Sequence, residues 1–139
     1  MHETLDPFDP NNWDLTPQPQ RVYLDDKGEN FVWVDEIDYQ WAIQWRWHIN
    51  KAHPSRNGKK CYPVRSVGRG GNYKGKIYIH VEIMRRTTIL PPAPGFKIVD
   101  HRDGDELNCR RANLRWATPR MNRMNLFGAY PEDLLDRMT

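Results

Sequence analysis

The sequence predicts an α+β fold in which two N-terminal β-hairpins and short helices precede a strand–strand–helix unit. Short runs of β-branched and aromatic residues alternate with glycine-containing turns, which is typical of hairpins. The 139 residues are enough for one core with flexible ends. We therefore expect one domain over residues 21–126, with the strand–strand–helix unit at 97–126. A disordered or loosely docked arm at 1–20 precedes it, and a tail or short helix at 127–139 follows.

The first hairpin is predicted over residues 21–34, where Gly28 is available for the positive φ of the turn. A short helix follows it. Asp35 can act as the N-cap, and Glu36 and Asp38 suit the positive end of the helix dipole. We expect this helix to end near Gln44.

The middle of the chain predicts a second hairpin and another short helix. Its glycines lack the GK[ST] and GxGxxG patterns, so no phosphate-binding loop is predicted there. The predicted segments are a strand at 45–49, a basic loop at 51–60, a strand at 61–67, a glycine-rich connection at 68–75, a strand at 76–80, a helix at 80–86 and a proline-set crossing at 89–95.

Charge is divided unevenly along the chain, although the net charge is only +3. Residues 1–40 carry two basic and ten acidic side chains, a balance of −8, whereas residues 41–125 carry eighteen basic and five acidic side chains, a balance of +13. Each lysine or arginine near a phosphate releases a condensed counterion. The excess of basic residues at 41–125 therefore favours a polyanion such as double-stranded DNA as partner. The alternative is a basic surface that is merely solvated.

The sequence disfavours a membrane or secreted protein, and it also disfavours a protein with a zinc cluster. No apolar run is long enough to cross a bilayer, and the N-terminal residues lack a signal peptide's basic and apolar regions. We therefore expect a cytoplasmic protein without a membrane partner. Cys61 and Cys109 stand 48 positions apart with no CxxC pattern, so we expect no zinc cluster and favour a reduced pair over a disulfide.

The densest group of polar residues lies in the predicted strand–strand–helix unit. A short apolar strand runs into Asp100 and His101, turn residues follow, and residues 113–116 can form the returning strand. Thr118 is a helix N-cap with a proline in the first helical position, which predicts a helix through about residue 126. If Asn122 on this helix faces the strand ends, Met121 and Met124 can pack inward.

The run VDHRDGDELNCRRANLRWATPRMNRMN resembles the metal-binding core of HNH endonucleases, in the phage- and intron-encoded homing-type subgroup. The upstream segments IYIHVEIM and VDEIDYQWAIQWRWHI are similar to parts of such proteins, so the resemblance covers about residues 30–125. It implies a His-Me finger, or ββα-metal, core. It also implies a phage-encoded protein acting in its host cell. In this subgroup an asparagine takes the place of the second histidine, and Asn122 fits that position.

The resemblance also implies roles for four residues. Asp100 and the amide oxygen of Asn122 would hold one divalent cation, and such hard oxygen ligands suit Mg²⁺ or Mn²⁺ better than zinc. His101 would be the general base that takes a proton from the attacking water. Asn113 would hydrogen-bond across the loop to fix His101 and the strand pair.

Further residues are candidates for accessory or DNA-binding roles. His80 matches an upstream histidine of the family, but a packing role is at least as plausible. Asp103 and Asp105 are interpreted as turn formers rather than ligands. The candidate phosphate or DNA contacts are Arg102, Arg110, Arg111, Arg115, Arg120, Arg123, Lys74 and Lys76.

The function expected is a metal-dependent DNA endonuclease that hydrolyses phosphodiester bonds to 5′-phosphate and 3′-hydroxyl ends, as a monomer or homodimer. Nicking and double-strand cleavage both remain open. The alternative is a DNA-binding module of the same fold with weak or no catalysis. A structural or packaging-associated protein with an incidental motif ranks below both.

Overall fold

The computed structural model describes residue 6 and residues 8–12, 16–50, 62–69 and 72–123. Its elements are two 3-10 turns at Pro10–Asn12 and Arg111–Asn113, β1 (Gln20–Tyr23), β2 (Phe31–Val34), α1 (Glu36–Ala42), β3 (His48–Asn50), β4 (Tyr62–Arg69), β5 (Asn72–Tyr78), α2 (Ile79–Arg86), β6 (Ile98–His101), β7 (Leu114–Ala117) and α3 (Pro119–Arg123). The strands form three antiparallel sheets, β1–β2, β3–β4–β5 and β6–β7. The prediction of a small α+β architecture is confirmed.

The first hairpin and the helix after it agree with the sequence, except at the cap. Tyr23 pairs with Phe31 at the end of the hairpin, and Gly28 has a φ of 71° in the turn. Asp35 is the N-cap of α1 but makes no side-chain capping bond. Its carboxylate instead accepts a bond of 2.8 Å from the backbone nitrogen of Arg111, so a distant loop has displaced the local cap.

The second sheet corrects two predictions. The glycine-rich connection expected at 68–75 is largely strand. The pairing of β4 with β5 shifts its register at Val67/Gly68 and then continues to the pair Arg69↔Asn72. The expected strand at 76–80 ends at Tyr78, whereas the helix expected at 80–86 is confirmed as α2, with His80 in its first turn. The imidazole of His80 therefore projects from a helix rather than a sheet.

Helix α2 lies in the main core. Ile79, Ile83 and Met84 form its buried apolar face. They pack with residues from the first hairpin, from α1 and from the β6–β7 pair. The fully or nearly buried members of this core are Val22, Leu24, Val32, Val34, Ala42, Trp47, Ile79, Ile83, Met84, Val99, Cys109 and Leu114.

The predicted strand pair and the start of the helix that follows it are confirmed, and α3 is described as far as Arg123. β6 pairs with β7 from Ile98↔Ala117 to His101↔Leu114. The Thr118 hydroxyl accepts a bond of 3.1 Å from the backbone nitrogen of Met121, so it caps α3. Met121 packs inward with Phe96 and Ala117 in a second small core. The indole of Trp116 donates to the Ile89 carbonyl at 2.8 Å, which joins this unit to the proline-set crossing.

Several predictions fall outside the described residues. They are the basic loop at 51–60, Cys61, Met124 and the tail at 127–139, together with the side chains of Lys74 and Arg123. Only part of the arm at 1–20 is described, and there the backbone nitrogen of Gln18 donates to Glu36 at 3.1 Å. None of the helices in the described part of the chain has the length and apolar character needed to cross a membrane.

Candidate active site

A cavity of about 370 Å³ lies between the β6–β7–α3 unit, α2 and the three-stranded sheet. Asp100, His101 and Asn122 all line it, although the first and last are 22 positions apart in the chain. The antiparallel pairing of β6 and β7, followed at once by α3, brings these three side chains to one place. The complete lining is Asn50, Tyr62, Tyr78, His80, Val81, Arg85, Lys97, Ile98, Val99, Asp100, His101, Trp116 and Asn122.

Asp100 is paired with Arg115 on the neighbouring strand. Nε and Nη2 of Arg115 each lie 3.1 Å from Oδ2 of Asp100. Arg115 is only 2% exposed, whereas the Asp100 side chain keeps 19% of its surface accessible. The expected cation ligand therefore already has a cationic partner on its buried side. A direct contact of Arg115 with a phosphate, which the sequence allowed, does not agree with this burial.

His101 is buried among rings and a thiol. Its ring centroid lies 4.8 Å from that of His80 and 6.1 Å from that of Tyr62. Its Nε2 atom lies 3.7 Å from Sγ of Cys109. The imidazole is only 4% exposed, so its orientation is fixed by packing on more than one side.

His80 lies in the same ring cluster and stacks on Tyr62 with 5.2 Å between centroids. Burial, and then the neighbouring His101, lower the pKa of His80 to about 3. Its Nδ1 has no hydrogen-bond partner among the described residues. His80 is thus a neutral, packed imidazole near neutral pH, which agrees with the packing alternative.

The three-stranded sheet supplies a polar and aromatic wall that the sequence did not indicate as part of the site. Tyr62 and Tyr78 line the cavity with the buried amide of Asn50. Burial, and then the charges of Glu106 and Asp100, raise the pKa of Tyr62 to about 12, so its hydroxyl remains a proton donor. Lys76 donates a bond of 2.6 Å to Asn50 Oδ1. In the sequence, Tyr62 and Tyr78 are single aromatic residues in predicted strands, a pattern that is equally typical of ordinary core strands.

Asn113 closes the loop after β6 and does not line the cavity. Its amide donates to Asp103 Oδ1 at 2.9 Å and to the Asn108 carbonyl at 2.8 Å, and its Oδ1 accepts from the Asp103 nitrogen at 3.1 Å. Partial burial opposes ionisation of Asp103. Bonds from Asn108, the Asp105 nitrogen and Asn113 outweigh that burial, so the pKa of Asp103 is lowered. The loop that follows His101 is thereby held in one conformation.

The candidate DNA-binding arginines have different surroundings. Arg110 and Arg120 are exposed, and Arg102 is half-buried. Arg111 makes two bonds to the fully buried carboxylate of Asp38, at 2.9 and 2.8 Å, so its guanidinium is engaged within the protein. Two cations that the sequence did not single out, Arg85 and Lys97, are exposed and line the cavity.

The donor set fits a cation held by few protein ligands. No group of three or more His, Cys, Asp or Glu side chains suited to a metal occurs in the described ranges. One carboxylate, Asp100, and one amide, Asn122, do line the same cavity. Such oxygen donors suit a hard ion such as Mg²⁺, which keeps several of its waters. The Arg115 contact on Asp100 lowers the negative charge available to such an ion.

Comparison with known protein families gives a match to part of the chain. The family model for HNH endonucleases matches residues 88–124. This match supports the resemblance of the chain to the HNH family. No curated protein and no solved structure gives a significant match to the chain. HNH nucleases act on DNA and generally use a divalent metal. We refer to residues 88–124 as the HNH segment.

Residues outside the HNH segment complete its structure. The backbone of Trp33 on β2 exchanges two bonds of 2.8 Å with the loop of the segment, donating to Leu107 and accepting from Cys109. Asp38 on α1 is bonded to Arg111, and it also accepts a bond of 3.1 Å from Arg86 on α2. The HNH segment is therefore anchored to the N-terminal hairpin and to both preceding helices.

Proposed function

We propose that the protein is a divalent-metal-dependent DNA endonuclease of the homing-type HNH subgroup, producing 5′-phosphate and 3′-hydroxyl ends. One observation carries this proposal. Within the HNH segment, Asp100, His101 and Asn122 line one cavity, and His101 is buried against rings that fix its orientation. The residue types and their convergence suit phosphodiester hydrolysis.

His101 would take the proton of the attacking water. An imidazole is suited to this task because its ordinary pKa lies near neutrality, and general-base catalysis of this kind contributes roughly 10²–10⁴ in rate. The packing of His101 against His80 and Tyr62 limits rotation of the ring. Asn113 is not in the cavity, so its proposed role is to hold the loop that follows His101.

Asp100 and Asn122 would hold one Mg²⁺ or Mn²⁺ ion. When bound, such an ion supplies Lewis-acid polarisation of the scissile phosphate and stabilises charge on the leaving oxygen. Asp100 contributes the negative charge and Asn122 a neutral oxygen, while Arg115 fixes the Asp100 carboxylate from the buried side. Trp116, Ile98 and Val81 give the cavity an apolar portion that limits bulk water.

Double-stranded DNA is the proposed substrate, since the central part of the chain is strongly basic. Arg85 and Lys97 line the cavity, and Lys76 lies beside its wall, bonded to Asn50. Arg110 and Arg120 are the exposed arginines of the HNH segment that we assign to phosphate contacts. One such site cuts one strand, so a double-strand break requires a homodimer or two successive events.

Cleavage of supercoiled plasmid tests this proposal. The full chain is incubated with plasmid and Mg²⁺ or Mn²⁺, beside His101→Ala, Asn122→Ala and the matched control His48→Ala, which removes an exposed imidazole from β3. We expect His101→Ala to lower the nicking rate by at least about a hundredfold. We expect His48→Ala to leave it unchanged. Equal cleavage by wild type and His101→Ala, or no cleavage by any protein, would refute the proposal.

A DNA-binding module with weak catalysis is the second candidate, and the Asp100–Arg115 pair favours it. An arginine on the only carboxylate of the donor set weakens the case for tight metal binding. This candidate predicts salt-sensitive DNA binding by wild type without metal-dependent strand breaks. Measuring binding over a salt series in EDTA, together with plasmid nicking in Mn²⁺, separates the two functions.

A further inference from the structure

Cys109 has no part in the proposed chemistry, yet its sulfur lies 3.7 Å from Nε2 of His101. The thiol is fully buried, and burial, followed by the charges of Asp105 and Asp103, raises its pKa above the ordinary range. A buried thiol of this kind stays protonated and is neither a nucleophile nor an accessible redox group. Its effect must therefore be exerted through its neighbours.

The hydrogen of the thiol has a partner of its own. Sγ of Cys109 donates to the carbonyl oxygen of Glu106 at 3.5 Å. With the hydrogen directed there, the sulfur presents lone pairs to His101 Nε2 and can act as a weak acceptor. A neutral imidazole carries one hydrogen, so an Nε2–H group pointing at the sulfur leaves the lone pair on Nδ1.

The backbone of Cys109 is held by an element outside the HNH segment. Its nitrogen donates to the Trp33 carbonyl at 2.8 Å, and the Trp33 nitrogen donates to the Leu107 carbonyl at 2.8 Å. Trp33 lies in β2, and the side chain of Asp35 just after it binds the backbone of Arg111. These contacts hold the backbone at Cys109 and on either side of it, at Leu107 and Arg111. The position of the Cys109 sulfur is fixed as a result.

We propose that Cys109 is a positioning residue that holds His101 as the Nε2–H tautomer, and that β2 keeps Cys109 in place for this purpose. The contact leaves Nδ1 as the basic nitrogen of His101. The consequence for catalysis rests on the proposed nuclease function. The tautomer itself does not, because it is a property of the protein without DNA.

Cys109→Ser and Cys109→Ala are the matched variants. A serine hydroxyl can donate to Glu106 and accept from His101 as the thiol does, whereas alanine can do neither. Burying a hydroxyl costs free energy that burying a methyl group does not. A purely structural role of Cys109 therefore predicts that the alanine variant performs at least as well as the serine variant. A positioning role predicts the opposite order.

The tautomer is measured by two-bond ¹H–¹⁵N correlation spectra of the full chain labelled at histidine nitrogens, with His101 signals identified by their loss in His101→Ala. We expect the Nε2–H form in wild type and in Cys109→Ser, and a mixture or the Nδ1–H form in Cys109→Ala. The same tautomer in wild type and Cys109→Ala would overturn the assignment, as would the Nδ1–H form in wild type.

Plasmid cleavage gives the second readout. We expect kcat to fall roughly tenfold in Cys109→Ala with KM for DNA unchanged, by analogy with the loss caused by removing partners that orient metal-ligating histidines. Cys109→Ser should stay near wild type. Equal kcat in the two variants would overturn the catalytic role. If none of the proteins cleaves DNA but the tautomer still differs between alanine and serine variants, the nuclease function fails while the Cys109 assignment is supported.

Discussion

Asp100 and Arg115 are register partners on β6 and β7, and both Nε and Nη2 of Arg115 lie 3.1 Å from the same carboxylate oxygen. The arginine side is almost fully buried, while the aspartate reaches the cavity. An ion pair with this asymmetry fixes the carboxylate and opposes a second cation at the same time. The proposed affinity of Asp100 for a metal ion should therefore be coupled to the stability of the protein.

Replacing Arg115 with glutamine should separate these two effects. Removing one partner of a buried pair typically costs 3–5 kcal/mol, and the partial exposure of Asp100 should reduce this to about 2 kcal/mol. Mn²⁺ should bind Arg115→Gln more tightly than wild type, because the competing charge is gone. Urea unfolding and isothermal titration with Mn²⁺ measure both quantities. Arg120→Gln, at an exposed arginine of α3, is the control and should change stability by less than about 0.5 kcal/mol. Weaker Mn²⁺ binding by Arg115→Gln would contradict the coupling.

Arg111 should contribute far more to stability than a surface arginine. Its two bonds to Asp38 satisfy a carboxylate with no exposed surface, whereas Arg85 pairs with Glu82 on the surface of α2. Arg111→Ala leaves Asp38 with Arg86 as its remaining arginine among the described contacts, so we expect a loss of about 3 kcal/mol in the free energy of unfolding. Arg85→Ala should lose less than about 1 kcal/mol. Chemical denaturation of the two variants measures these losses. Equal losses would show that the ion pair of Arg111 with Asp38 stabilises the fold no more than a surface ion pair does.

His80 should make the protein less stable in acid. Its folded-state pKa of about 3 lies below its ordinary value of 6.5, so the unfolded chain takes up a proton between these values that the folded chain does not. Stability should therefore fall as pH drops from about 6.5 towards 3, with a slope from this group of up to about 1.4 kcal/mol per pH unit. His80→Phe keeps a buried ring without this proton and should show a shallower slope. Urea unfolding at pH 7, 6, 5 and 4 tests the sign, with the exposed His48→Ala as control. Parallel wild-type and His80→Phe curves would contradict the assignment.

Asn113 should control the rigidity of the loop after His101. Asn113→Ala removes three hydrogen bonds within this loop, so we expect a loss of about 2 kcal/mol in stability. Exchange of the Asp103 amide hydrogen should also become faster, since that amide donates to Asn113. Asn108→Ala removes one side-chain bond to Asp103 and should have a smaller effect. Unchanged exchange at Asp103 in Asn113→Ala would show that the loop is ordered by other contacts.

The parts of the fold that the sequence predicted well depend on local signals. Thr118 and Pro119 start α3, and Gly28 forms the turn of the first hairpin. The errors have equally clear causes. Strand pairing continues across 68–75 despite the glycines there, and the strand expected at 76–80 ends at Tyr78 because the helix that was expected from His80 begins one residue earlier. Asp35 makes no side-chain capping bond, and its carboxylate instead accepts a bond from a backbone nitrogen 76 positions away.

Local patterns in the sequence are sufficient to predict the β6–β7–α3 unit and the spacing of Asp100, His101 and Asn122 within it. Both depend on contacts between residues close in the chain, and these are visible as turn, cap and strand patterns. The surroundings of those residues, in contrast, are visible only in the packing of the folded chain. Arg115 on Asp100, Cys109 beside His101, and the wall formed by Asn50, Tyr62 and Tyr78 depend on which way each side chain points and on how three separate sheets pack around α2. Such long-range packing is set by the whole core, so no local pattern of residues encodes it.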